Sequence, residues 1–162
     1  MPDIWGLAAI ATKFALYLGV LTSTGTVFVA LVFQVANTRR FAVTFAMLGL
    51  FAAVIGFSLG GAALTGDVSG MTDPEMLGLL WSTPVGTALS YRLVGLSLLI
   101  IGLMLGRVGL WLSAIGGGLV LWSFVSVGHI PDKDMFWLDG LLLIHLAAIA
   151  VNRHAKLTPV LG

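Results

Sequence analysis

Cysteine is absent from all 162 residues, which removes disulfides and thiolate metal sites together. Charge is nearly as scarce, at 9% of the chain, against about a quarter in a soluble domain. A soluble fold of this length needs a polar exterior, and these residues cannot build one. The formal net charge of +1 supplies no basic face for nucleic acid. No glycine-rich loop follows a strand; the glycines fall inside apolar runs, so nucleotide binding finds no support. No acid–base pair with a supporting third group stands out, and the chain is expected not to be an enzyme. The apolar runs also lack polar alternation, which argues against a β-barrel.

What is present is apolar, at 59% of residues. Several runs of about 20 residues are long enough to cross ~30 Å of hydrocarbon as helices. The expected fold is all-α: one polytopic transmembrane domain over residues 1–162. Five spans are predicted at about 13–36, 41–64, 84–106, 108–127 and 136–152. The N-terminal stretch lacks a positive n-region and its apolar run is long, so it reads as retained rather than cleaved. In the first span Ala15, Gly19, Thr22 and Thr26 share helical spacing. They fit a close-packed face with hydroxyls bonded back to the backbone, or a polar lining for a transport path. Gly49, Ala53, Gly56 and Gly60 repeat small residues every three or four positions in the second span, a packing face. Gly116-Gly117-Gly118 in the fourth points to very close approach of a neighbour or a kink.

Between spans two and three the chain turns polar and acidic. Asp73-Pro74 reads as an N-cap with proline in the first helical position. Met76, Leu77, Leu79, Leu80 and Trp81 follow, giving one short interfacial helix. Thr83-Pro84 repeats the start signal. Arg39, Arg40, Arg107, Arg153 and Lys156 fall on one side of a five-span arrangement, so the N-terminus is expected outside and the C-terminus in the cytoplasm. Trp5, Trp81 and Trp137 then belong to an outer aromatic belt, and Trp111 anchors the inner side. Lys13 reads as a snorkelling residue at a span end.

Chemistry concentrates between Trp122 and His154, which holds all three histidines. His129 closes span four, as a metal ligand at the outer mouth or as a solvated loop residue. His145 sits inside span five; an ionisable group at that depth is a functional candidate, its alternative being a neutral imidazole bonded to a neighbouring helix. His154, beside Arg153 and Lys156, reads as interfacial. Met71, Met76 and Met135 fall near the outer face, where thioethers and imidazoles are the ligands a cysteine-free chain has for copper(I); packing is their alternative role. Arg92 and Asp139 lie at similar depth on different spans, and a structural ion pair between them is expected. Bis-histidine haem b needs two histidines at matched depth, and His129 and His145 are separated by more than two helical turns.

Some of these residues carry a likeness to a known family. Ser126-Val127-Gly128-His129 closing a helix, a short loop, and then Leu143-Ile144-His145-Leu146-Ala147-Ala148 resemble the copper-resistance protein D (CopD) family. Thr83-Pro84-Val85-Gly86 with Arg92 six positions on, and Ala15-Leu16-Tyr17-Leu18-Gly19, are similar too. The likeness covers most of this chain and the N-terminal portion of a usual, longer member. Ile130 stands where the family commonly has alanine, and Leu142 where it often has an acid. The resemblance implies copper binding or transport in the bacterial inner membrane. His129 and His145 are the matching positions, and Met135 is a further candidate ligand. Two other expectations stand beside it: a non-catalytic accessory subunit of a larger respiratory or photosynthetic membrane complex, and a haem b electron-transfer subunit. The expected partners are the lipid bilayer and other membrane subunits.

Overall fold

In a computed structural model, residues 4–33, 38–106 and 108–125 are described. Among these residues five α-helices follow one another: α1 (Ile4–Phe33), α2 (Arg39–Thr65), α3 (Pro74–Trp81), α4 (Pro84–Met104) and α5 (Gly109–Val125). A 3-10 turn, Val68–Met71, precedes α3, and no strand occurs among the described residues. The helices α1, α2 and α4 have 30, 27 and 21 residues and are apolar enough to cross a membrane; α5 is a shorter apolar helix of 17 residues. At 1.5 Å per residue these four run from about 25 to about 45 Å. The expected fifth span, 136–152, lies outside the described residues.

Local chemistry accounts for the boundaries. Asp73 Oδ1 accepts a hydrogen bond from the Glu75 amide at 2.9 Å, and Thr83 Oγ1 accepts one from Val85 at 3.2 Å. Each cap precedes a proline in the first turn, where its missing N–H costs nothing. The helix α2 stops at Gly66, in the left-handed region at φ 73°, with its amide bonded to the Ala62 carbonyl. The Asp67 carboxylate then accepts from the Val68 amide and the Ser69 hydroxyl, turning the chain into the 3-10 segment.

The helix α1 begins at Ile4, ahead of the expected first span, so Lys13 lies in its third turn. Ala8, Ala9 and Ala11 sustain the helix there, and nothing before Lys13 breaks it except the tolerated Gly6.

The four long helices form an antiparallel ring, α1 against α2, α2 against α4, α4 against α5 and α5 against α1. The most extensive contacts lie within the α1–α2 and α4–α5 hairpins. Small residues make them possible. A Cβ on Gly19 would stand 2.5 Å from the Gly49 nitrogen. On α4 and α5, Gly95 faces Gly116, and Gly102 faces Gly109, again backbone to backbone. Where lipid tails are as apolar as the side chains, this van der Waals packing and interhelical hydrogen bonding drive association. Ser113 supplies such a bond, its hydroxyl donating to the Leu99 carbonyl at 2.9 Å.

The core runs through Leu16, Val20, Val27, Ala46, Leu96, Leu99 and Val120. Thr22 to Thr26 on α1 are all buried as well. Ser23 donates to the Val20 carbonyl and Thr26 to the Thr22 carbonyl, the back-bonding that lets hydroxyls sit inside an apolar bundle. Thr24 differs: its buried Oγ1 has no hydrogen-bond partner among the described residues, while its methyl packs against Gly117. The helix α3 covers one end of the ring, with Leu80 seated on Gly60 and Leu77 near Gly61. Trp81 is exposed and meets the Phe57 ring edge-on, 6.0 Å between centroids.

Candidate functional site: a cationic pocket at the α3 end

All four long helices contribute to a cavity of about 320 Å³ near the α3 end of the ring. Thr12, Lys13, Leu16 and Tyr17 come from α1, Ala52, Ala53, Gly56 and Phe57 from α2, Val85, Leu89 and Arg92 from α4, and Phe124 from α5. Most of this wall is small or apolar. Its charge comes from Lys13 and Arg92 alone, and no carboxylate lines it among the described residues.

Arg92 is held from two sides. Its Nε–H donates to Ser123 Oγ at 3.1 Å. Ser123 in turn donates its own proton to the Val120 carbonyl at 2.6 Å, so an oxygen lone pair is left to accept from the guanidinium. The guanidinium carbon also lies 5.1 Å from the centre of the Phe124 ring, within cation–π range. Tyr17 stacks on the same ring at 4.8 Å and 16°. Phe124 therefore ties α1 and α4 to α5 at one level.

The site residues named from the sequence separate into two sets. Arg92 is described, and its hydrogen bond goes to a hydroxyl. Asp139, its expected carboxylate partner, lies outside the described residues, as do His129, His145 and Met135. Met71 and Met76 are half-buried on the 3-10 turn and α3, at the same end as the pocket. Among the described residues no group of three or more His, Asp or Glu side chains could hold a metal ion. Two cations oppose a copper cation, and among the described lining residues no carboxylate offsets them.

Sequence reasoning did not single out Ser123, Phe124 or Tyr17 as site residues, and it read Lys13 as a snorkelling residue without placing it at a cavity. A usable signal existed for Ser123: it and Arg92 each lie about 15 residues from the α4–α5 turn, hence at matched depth in a hairpin.

An all-α ring of apolar helices, three of them long enough to span a bilayer, defines a multi-pass membrane protein. Its residues 1–134 match the sequence model of the family described as copper resistance protein D-like, N-terminal domain. The chain belongs to that family. No curated protein and no solved structure matches it.

Proposed function

We propose that the protein binds copper, or passes it, at the outer face of the bacterial inner membrane. The observation that carries this reading is the family match over residues 1–134, which includes the Gly128-His129 pair. Copper is cargo here. His129 and Met135 would receive copper(I) at the outer mouth through imidazole and thioether donors, the soft set open to a chain without cysteine. His145 would be the deeper ligand. The N-terminus then faces the periplasm and the C-terminus the cytoplasm, an orientation supported by the lysine and arginine split. The role is non-catalytic, exercised in the bilayer and alongside other membrane subunits.

Copper content per chain, measured on gently solubilised protein together with a visible spectrum, tests this. Copper near stoichiometry, lost on His145→Ala while helicity persists, supports the reading. Unchanged copper in both His129→Ala and His145→Ala sinks it, and a Soret band would replace copper with haem.

A further inference from the structure

The Arg92 pocket has the opposite chemistry to a copper site. It is walled by small apolar residues, carries two cations from different helices, and has no carboxylate among its described lining. We propose that it binds an anionic headgroup of the phosphate type, from an anionic phospholipid or from free phosphate. This reading goes beyond copper handling and does not rest on it.

Three features make the pocket specific rather than merely positive. First, Arg92 is pre-set. Ser123 accepts from Nε and the guanidinium carbon lies 5.1 Å from the centre of the Phe124 ring. The Nη donors have no hydrogen bond among the described residues. A guanidinium offers paired donors in a fixed fork that suits phosphate oxygens. Second, Lys13 stands on α1 across the cavity from α4, and its side chain is exposed, as expected of a mobile cation that closes on a ligand. Third, Tyr17 and Thr12, both hydroxyl-bearing, line the same space, although Thr12 already donates to the Ala8 carbonyl at 2.8 Å.

Energetics favour an occupant. A charged side chain within a spanning helix is costly and is normally paired. A bound phosphate supplies that pairing to Arg92 and Lys13 together. The cavity volume matches a headgroup and falls at the small end of ordinary ligand sites. An acyl chain would have to leave it along the apolar wall of Leu89, Val85 and Phe57.

The test uses the full chain in a non-ionic detergent. Native mass spectrometry follows a short-chain phosphatidylglycerol and, separately, the matching phosphatidylcholine; thermal melting follows inorganic phosphate alone. The expected result is phosphatidylglycerol bound on the order of tenfold more tightly than phosphatidylcholine, with Arg92→Gln and Lys13→Gln each weakening it by about tenfold, the scale of one lost charge-assisted hydrogen bond. Arg40→Gln, at the far end of α2, should leave binding unchanged. Lys13 is exposed, so Lys13→Gln keeps the fold and stays informative if Arg92→Gln does not fold. Stabilisation by inorganic phosphate that disappears in Lys13→Gln assigns the site to the free anion; a response to phosphatidylglycerol alone assigns it to lipid. Binding that is equal in wild type, Lys13→Gln and Arg92→Gln, or absent for both probes, overturns the proposal. The second outcome would return Arg92 to an internal counter-charge such as Asp139.

Discussion

Two stretches of the same helix pair, only a few residues apart, behave in opposite ways. From Gly95 to Gly102 on α4 and Gly109 to Gly116 on α5, glycine faces glycine at heptad spacing and the backbones touch. Toward the α3 end, Arg92 and Ser123 occupy the corresponding level, and a cavity of about 320 Å³ begins. Both stretches sit in apolar helices of similar composition. What separates them is side-chain size at the facing positions. Glycine lets van der Waals contact hold the helices together, whereas a guanidinium needs room and a partner. The tight crossing holds the helices together, and the opened end leaves room for a charged side chain.

Enlarging a residue in the crossing should break this contrast most severely. A Cβ on Gly95 would stand 2.6 Å from the Gly116 carbonyl oxygen and 2.5 Å from a Val120 methyl. Gly95→Val should therefore destabilise by roughly 3 kcal/mol or more, the upper range for overpacking against backbone. Loss of helicity on titration with a denaturing detergent measures it. Ser113→Ala removes the hydroxyl that bridges α5 to the Leu99 carbonyl and should cost about 1 kcal/mol by the same titration. At the open end, Ser123→Ala should cost less than ~1 kcal/mol, because Arg92 keeps its contact with Phe124. Its clearer effect should be a weaker hold on phosphatidylglycerol, since the guanidinium loses its orienting acceptor. Gly118 provides the smallest effect and the opposite sign. A Cβ there meets nothing within 4 Å, so Gly118→Ala should stabilise by up to about 1 kcal/mol through helix propensity alone.

The architecture was legible where residues act locally. Asp73-Pro74 and Thr83-Pro84 mark two helix starts because cap and proline act within one turn. Small residues at helical spacing identified packing faces, and Gly19, Gly49 and Gly60 do pack closely. The start of α1 was not legible, because a single lysine after a mildly apolar stretch marks a possible span end without ending a helix. That lysine also lines the cavity. The pocket was hidden for a different reason. Its wall draws single residues from four helices, and Ala52, Gly56 and Leu89 carry no polar signal of their own. Arg92 drew notice through its depth; its partners among the described residues are a serine and a phenylalanine, and Asp139 lies outside them. Matching depth across the short α4–α5 turn would have found both. The histidine stretch, by contrast, stands out by composition and by family likeness alone.

Under the proposed function, copper handling belongs to the histidine stretch and not to the cationic pocket. Copper per chain, measured side by side in wild type, His145→Ala and Arg92→Gln, tests it most directly. Copper near stoichiometry is expected in wild type and in Arg92→Gln, with its loss in His145→Ala. Copper that survives His145→Ala but disappears with Arg92→Gln would contradict it.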